Sequence, residues 1–385
     1  MPLDPTEQAC LGDLSAFADL PDPRSRRCRY PLDELLLVAC GAVACGAEDW
    51  VGVADWGEIR LEWLRRFLPF EHGVASHDTF NRVFALLDAP AFEACFMRWM
   101  QPLCPSVAGA TIALDGKSVR GSRTADAAMV HLVSACHTDS GLTLGQVRTE
   151  AKSNEITAIP ELLDALDLQG AVVTIDALGC QRDIARHIQA RGAEFILSAK
   201  NNQPALAQAI EGLFAQARPD VERGRLQQHI TLDKDHARLE TRRCVVAHDV
   251  RALPEPIRQD WPALRSAIMI ESTREILGGI HRGQCSTEWR YYLSSAAFDA
   301  AEFNRRIRQH WLIENQCHWI LDVLLREDDC RLGLGHGAQN LAILRRIVLN
   351  LVKRDSATNA SIRRKLNRLA WSPDYLQQLF GLVPL

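Results

Sequence analysis

Two aspartates lie in apolar segments where a carboxylate needs a specific partner. Asp115 stands in the run TIALDG, and Asp176 stands near the end of the run VVTIDA. Burying an unpaired carboxylate costs several kcal/mol, so each aspartate requires compensation, and a divalent cation can supply it. Carboxylate oxygens suit Mg²⁺, and two such ions about 3.5 to 4 Å apart can hold both reacting oxygens of a phosphodiester displacement. Capping by turns at Gly116 and Gly179 is the alternative explanation.

Glu314 is the candidate for a third carboxylate. It lies in the segment RRIRQHWLIENQCHWILDV, for which the spacing predicts one helix over 301–325. His310, Glu314, His318 and Asp322 are four residues apart, and in a continuous α-helix such residues share a face. The spacing therefore predicts a polar stripe beside the sheet. For any one of these residues alone, an ordinary exposed helical face is the alternative.

The elements that must position these acids can be predicted from the periodicity of apolar residues. Four segments near the N-terminus have helical spacing: 32–46, 58–67, 76–87 and 90–100. After Pro105 strands and helices follow in the order β-β-β-α-β-α-β: 111–121, 129–138, 142–150, a helix opened by Asn154, 170–177, 181–191 and 194–200. In a sheet ordered 3-2-1-4-5 the first and fourth strands are neighbours, so Asp115 and Asp176 would face one pocket.

The pattern becomes less regular after residue 203 and predicts a β-containing insertion before the helix of Glu314. The domain organisation predicted from the sequence has five segments. They are a helical N-terminal domain (1–105), the first part of a catalytic core (106–204), a β-rich insertion (205–290), the second part of the core (291–352) and a basic C-terminal helical tail (353–385).

Charge and hydropathy restrict the class of protein. The 44 Lys and Arg against 48 Asp and Glu give a net charge of -4, which argues against a surface coated with nucleic acid. Local patches are an exception, since 353–368 holds six bases and one acid, which could neutralise phosphates. The longest uncharged apolar run, 35–47, is too short to cross about 30 Å of hydrocarbon, so no membrane partner is expected. Acids near the start, where a secretory signal needs bases, predict a cytoplasmic location.

Seven stretches spread over nearly the whole chain carry motifs that are specific in combination. They are SHDTFNRVFALLD (76–88), ALDGKSVRGS (113–122), KSNEITAIPELLDALDLQGAVVTIDALGCQ (152–181), LSAKNNQ (197–203), YYLSS (291–295), HWLIENQCHWILDVLLREDD (310–329) and NLAILRRIVLNL (340–351). Together they resemble the DDE transposases of bacterial insertion sequences, and specifically the H-repeat-associated group.

This resemblance implies a fold, a site and partners. The fold would be α/β: an RNase H-like catalytic core with a mixed sheet, an all-helical N-terminal domain and the β-containing insertion. Asp115, Asp176 and Glu314 would be the catalytic residues and the ligands of two Mg²⁺ ions, for which Mn²⁺ could substitute. The partners would be the terminal inverted repeats and target DNA, bound by a homodimer because two ends are processed together, in a cytoplasmic, nucleoid-associated location.

Cationic side chains around the three acids are the expected DNA contacts. They are Lys117, Arg120, Lys200, His310, Arg305 and Arg308. Related transposases often carry Tyr, Arg and Lys at seven before, four before and seven after the glutamate. Here Ile307, His310 and Leu321 occupy those positions. A phosphate-contacting role is therefore assigned to His310 or to a neighbouring arginine, whereas Lys117, Arg120 and Lys200 could also be ordinary exposed charges at strand ends.

Three other functions compete with DNA cleavage and strand transfer. A nuclease with the same core would cut DNA or RNA without joining strands, and a catalytically inactive remnant would only bind DNA. The presence of all three acids disfavours the remnant. A nucleotide-dependent oxidoreductase is excluded because no GxGxxG motif follows a strand.

Overall fold

The computed structural model describes residues 14–24, 28–123, 128–149, 155–200, 202–215, 221, 224, 226–235 and 237–385. The chain forms two compact units. Unit 1 comprises 1–105, 116–154 and 314–385, and unit 2 comprises 106–115 and 155–313. This division differs from the five consecutive segments expected from the sequence, because the C-terminal helices pack with the N-terminal ones. Asn154, the expected start of a helix, lies outside the described residues.

The described α-helices number fourteen. They are α1 Leu32–Ala44, α2 Trp50–Ile59, α3 Leu61–Leu64, α4 His77–Leu86, α5 Ala89–Met100, α6 Glu155–Ala165, α7 Arg182–Ala190, α8 Pro204–Leu213, α9 Glu255–Asp260, α10 Ala300–His310, α11 Trp319–Val323, α12 Gly337–Arg354, α13 Ile362–Trp371 and α14 Pro373–Phe380. None of these described helices is both long enough and apolar enough to cross a membrane.

The described strands number nine. They are β1 Thr111–Val119, β2 Val130–His137, β3 Leu142–Thr149, β4 Val172–Ile175, β5 Glu194–Ala199, β6 Gln227–Asp235, β7 Arg238–Ala247, β8 Ser266–Ile276 and β9 Cys285–Ser294. The five core strands match the segments predicted from apolar runs. β6 was not predicted, because its polar sequence QQHITLDKD lacks the apolar face of a typical strand.

Unit 1 is built around α12, which is buried from Gly337 to Val352. α12 contacts α1, α4, α5 and β3, and the C-terminal α13 contacts both α12 and α1. Some of the buried polar groups in this core are paired. The Asn340 side-chain amide donates to the carbonyl oxygens of Phe84 and Leu87 at 2.7 and 2.9 Å. The strand order in this unit is β3-β2-β1, with β1 contributing the half that begins at Gly116.

Unit 2 contains strands in the order β1-β4-β5-β9-β8-β7-β6. β1, β4 and β5 are parallel, and β9 joins β5 antiparallel with Leu197 opposite Leu293. The strands of the expected insertion therefore extend the same sheet. The predicted neighbourhood of the first and fourth strands is confirmed, and it determines where the candidate site lies.

Candidate active site

Asp115 and Asp176 follow paired residues on two parallel strands. Leu114 of β1 lies opposite Ile175 of β4 in the ladder, so the two aspartates occupy the next position on each strand. Neighbouring strands are about 4.7 to 4.9 Å apart, and residues in register project to the same face. Asp176 is exposed and Asp115 is half-buried. The structure thus places the two aspartates at neighbouring positions on adjacent strands, at the point where β4 ends.

A tight turn holds Asp176 in place directly after β4. Its Oδ1 accepts hydrogen bonds from the backbone N–H groups of Leu178 at 2.9 Å and Gly179 at 3.4 Å. A Cβ at Gly179 would lie 2.3 Å from Cγ2 of Ile175, so only glycine fits there. The sequence alternative, in which this turn explains the aspartate, is therefore partly correct. Both of these backbone hydrogen bonds go to Oδ1, and neither goes to the other carboxylate oxygen, Oδ2.

The loop after β5 is hydrogen-bonded to this turn. Asn202 donates from its side-chain amide to the carbonyl of Ala177, and Gln203 donates to the carbonyl of Cys180 at 3.2 Å. These residues belong to the motif LSAKNNQ, whose Lys200 is exposed directly after β5. Because β5 is parallel to β4, Lys200 emerges at the same edge of the sheet as Asp176. The loop therefore positions a cation near the aspartates.

Helix α10 lies on the sheet face that carries the two aspartates. Thr111 precedes Asp115 by four residues and Thr174 precedes Asp176 by two, so each threonine shares a face with its aspartate. The Thr111 hydroxyl accepts from Nη1 of Arg306 at 3.0 Å, and Oγ1 of Thr174 shares a 3.0 Å hydrogen bond with Nδ1 of His310. The last residue of α10 is thus fixed beside β4.

His310 does not have the character expected of a phosphate contact. Burial of its imidazole lowers its pKa to about 4, despite the opposing effect of the nearby Asp176 carboxylate. The ring is therefore neutral at pH 7 and cannot neutralise a phosphate. Its hydrogen bond to Thr174 instead ties α10 to the strand of Asp176.

Glu314 begins a π-helical turn, Glu314–His318, and its side chain is exposed. The predicted segment 301–325 is helical over most of its length, but it is not one regular α-helix: α10 ends at His310, a turn follows at Trp311, and the π turn precedes α11, which begins at Trp319. A π turn contains an extra residue, so residues spaced four apart across it no longer lie on one face of the helix. His318 is accordingly buried, and the expected polar stripe is interrupted. Such turns are frequent at functional sites.

Asp115 and Asp176 are the residues that could bind a metal ion at this site. In the described part of the chain, no group of three or more histidine, cysteine, aspartate or glutamate side chains is arranged to hold a metal ion. Mg²⁺ usually keeps several waters and binds one or two carboxylates together with substrate phosphates. Two adjacent carboxylates at an exposed sheet edge fit that requirement.

Lys117 is not available for DNA, contrary to expectation. It is only 7% exposed, and its Nζ lies 2.6 Å from Asp322, 3.2 Å from Glu327 and 3.1 Å from Asp328. Burial lowers the pKa of Lys117, but these carboxylates outweigh it and raise the pKa. The lysine stays charged and is neutralised within unit 1. We assign Lys117 a structural role, in which its ion pairs hold β1 to the segment that contains Asp322, Glu327 and Asp328.

This network of buried charges was not predicted from the sequence. Its remaining members are Arg345 and Arg346 of α12, which are 1% and 0% exposed. Nη1 of Arg346 lies 2.7 Å from the equally buried Glu327. Two adjacent arginines in the otherwise apolar segment NLAILRRIVLNL were the available signal, because buried cations require acidic partners.

We expect Gly121→Ala to lower the free energy of unfolding by about 1 to 3 kcal/mol, as overpacking does. A Cβ at Gly121 would lie 2.6 Å from the carbonyl oxygen of Asp328 and 2.7 Å from that of Cys330, so backbone must move. Urea denaturation of the full chain measures the effect. Gly212→Ala is the control, because a Cβ there meets nothing within 4 Å and should be neutral or slightly stabilising. Equal stability of the two variants would contradict the close approach.

The remaining cations expected to bind DNA differ in their partners. Arg120 is 81% exposed, with its Nε 3.4 Å from Asp328. Arg305 pairs with Glu302 at 2.6 Å. Arg308 is half-exposed, with its guanidinium 3.2 Å from Asp233. Exposed pairs of this kind contribute little stability and can be exchanged for phosphates. Arg120, Arg305, Arg308 and Lys200 therefore stay candidate DNA contacts.

Comparisons with known proteins match most of the chain. The family described as "Transposase DDE domain" matches residues 108–351, and the one described as "DDE_Tnp_1-associated" matches residues 14–100. The first match includes both aspartates and Glu314.

Three relatives from Escherichia coli match almost end to end. The chain is 36% identical over 368 residues to "Putative protein YbfL" of strain K12, covering 94% of this chain and 96% of that protein. It is 37% identical to "Putative transposase YncI" of O157:H7, covering 96% and 94%. It is 35% identical to "H repeat-associated putative transposase YhhI" of strain K12, covering 94% and 96%.

Proposed function

Because this chain belongs to the DDE transposase family, we propose that it cleaves DNA at the ends of an insertion sequence and joins the released 3′ ends to target DNA. Asp115, Asp176 and Glu314 are the catalytic residues in this proposal. The observation that carries it is the placement of Asp115 and Asp176 next to each other on parallel strands.

The assignment of Glu314 rests on its place in the chain. His310 is held against Thr174 of β4, and Glu314 comes four residues later in the same helical run. The exposed carboxylate at the start of a π turn is available to a ligand, whereas the acids further along are already paired with Lys117. We also propose that β1 to β5 form an RNase H-like core, which the parallel β1-β4-β5 order supports.

In the proposed mechanism the chain binds and orients DNA at the carboxyl edge of β1 and β4. Asp115, Asp176 and Glu314 would hold two Mg²⁺ ions. When bound, these ions would make a water or a 3′-hydroxyl more nucleophilic and would stabilise the departing oxygen. Lys200 and Arg308 would contact phosphates on either side, and the hydrogen bonds from Leu178 and Gly179 would keep Asp176 oriented.

An end-joining assay tests this proposal. Purified full-length protein is mixed with Mg²⁺, a labelled duplex carrying one inverted repeat with its flanking DNA, and a supercoiled target plasmid. We expect a nick or break at the repeat end and a labelled joined product, both abolished by EDTA. Cleavage without any joined product would favour the nuclease alternative. DNA binding without cleavage would favour the inactive remnant, and cleavage that persists in EDTA would contradict metal dependence.

Two features of the assembly belong to the same proposal. Two ends must be processed together, so a homodimer that pairs them is the expected active form. Its substrates would be the terminal inverted repeats and target DNA, so we propose that it acts at the nucleoid in the cytoplasm. Light scattering of the DNA-bound complex would determine the number of protomers.

A further inference from the structure

The basic segment 353–368 divides into inward and outward cations. Lys365 is buried, its Nζ donates to the carbonyls of Asp355 and Val352, and it lies 3.9 Å from the Asp355 carboxylate. Lys353 donates to the carbonyl of Gly141. These two lysines hold α13 and the end of α12 to the rest of unit 1. They are therefore structural cations.

The arginines of α13 point the other way. Arg363, Arg364 and Arg368 are exposed, whereas Leu369 on the opposite side is buried. Arg364, Arg368 and Trp371 are spaced i, i+4, i+7, so they share one face of the helix. Within the described residues, no carboxylate lies within ion-pair distance of any of the three arginines, although Arg368 stacks 4.7 Å from the ring of Tyr375. Arg363 lies about 100° around the helix from Arg364, so the exposed side of α13 as a whole carries three positive charges with no ion-pair partner among the described residues.

Apolar groups and another arginine extend this face at the end of the helix. Trp371 is 76% exposed, which is unusual for so large an aromatic side chain. Nη2 of Arg60 donates to the carbonyl of Ala370 at 3.4 Å, so the end of α2 lies beside Trp371 and brings Ile59, which is 81% exposed. We define the α13 surface as Arg363, Arg364, Arg368, Trp371, Arg60 and Ile59.

We propose that the α13 surface binds the sugar-phosphate backbone of duplex DNA, as a second contact in addition to the candidate active site. This inference rests on the proposed function, which makes DNA the partner. Unneutralised arginines complement phosphates, and an exposed tryptophan can pack on sugars. A helix of ten residues is about 15 Å long and fits beside or within a groove about 12 Å wide.

A protein partner fits this surface less well. Stable protein interfaces have an apolar, charge-depleted core, but here four arginines surround only two apolar side chains. Glu62, two residues after Arg60, already pairs with Arg65 at 2.7 Å. A strongly cationic face on a chain of net charge -4 indicates a local polyanion site.

Salt-dependent DNA binding tests the inference. The full-length triple variant Arg363→Ala, Arg364→Ala, Arg368→Ala is compared with wild type by fluorescence anisotropy on a 30-base-pair duplex, in EDTA, over a range of KCl concentrations. Each lost phosphate contact lowers the slope of log Kd against log salt by about 0.9, so we expect a decrease of about 2 to 3. At about 0.15 M salt we expect Kd to rise roughly 10- to 100-fold.

A matched control removes three charges elsewhere. Arg186, Arg251 and Arg274 of unit 2 are exposed and paired with acids, and their triple alanine variant should keep the wild-type slope. Thermal unfolding of each variant checks that it is folded. An unchanged slope in the folded α13 variant would overturn the inference, and so would a changed oligomeric state with unchanged DNA binding. The binding measurement is made in EDTA, where metal-dependent catalysis cannot occur. Its result therefore does not depend on whether Asp115, Asp176 and Glu314 are the catalytic residues.

Discussion

Replacing Asp176 or Asp115 by asparagine should lower the rate of DNA-end cleavage by about a thousandfold or more. Asparagine keeps the size of the side chain, and its oxygen can still accept the N–H groups of Leu178 and Gly179, so the turn should survive. The lost negative charge removes the ligand character that holds a divalent cation. A loss of about 4 kcal/mol in transition-state stabilisation corresponds to a thousandfold in rate.

Single-turnover cleavage of a labelled repeat end, with enzyme in excess, measures this effect. Asp183→Asn is the matched control, since Asp183 is an exposed aspartate of the same unit that only pairs with Arg186. It should cleave within about twofold of wild type. Binding of the variants to DNA in EDTA separates a catalytic defect from a binding defect. Wild-type cleavage rates for both Asp115→Asn and Asp176→Asn would show that the sheet edge is not the active site.

Replacing Arg346 by methionine should lower the free energy of unfolding by about 3 to 5 kcal/mol. Arg346 and Glu327 are both 0% exposed and lie 2.7 Å apart. Removal of one partner from a buried pair leaves the other charge uncompensated, which is the costly case. Lys117, at 3.2 Å from Glu327, neutralises it only in part because it also serves Asp322 and Asp328.

Urea denaturation at pH 7, followed by circular dichroism, measures the loss. Arg331→Met removes an exposed arginine of the same unit and should change stability by less than about 0.5 kcal/mol. The double variant Arg346→Met, Glu327→Leu should recover part of the loss, because it removes the buried charge as well. A loss below about 1 kcal/mol in Arg346→Met alone would mean that the pair is not a principal support of unit 1.

The same pair has a predictable dependence on pH. Burial raises the pKa of Glu327, but Arg346, Lys117 and Arg345 outweigh it and bring the pKa down to about 2. Since the folded pKa lies below the unfolded value near 4.5, the stabilisation is complete above about pH 4.5. It is lost progressively as the pH falls towards 2. In Arg346→Met this acid-sensitive contribution should be smaller.

The sequence predicted most of the core because its strands carry long apolar runs. β1 and β4 were recognisable from TIALDG and VVTIDA, and their adjacency followed once the sheet order 3-2-1-4-5 was assumed. Two elements were not predicted, and each has a physical reason. α2, with the sequence WVGVADWGEI, contains two glycines that weaken helical propensity, and β6 is polar because it pairs with β7 at the edge of the sheet.

The candidate site was predictable only in part. The placement of Asp115 beside Asp176 required only local patterns and a strand order. The partners of Lys117 lie more than 200 residues away along the chain, and no local pattern pairs them. His310 was expected to contact phosphate, but its pKa is lowered by burial, which the sequence does not reveal.

The turn Glu314–His318 contains one residue more than an α-helical turn. In an uninterrupted α-helix each residue advances about 100° around the axis, so Asp322, eight residues after Glu314, would lie about 80° from it. The extra residue changes that angle. The directions of Glu314 and of Asp322, the counter-ion of Lys117, are therefore not the ones that a regular helix would impose on this sequence.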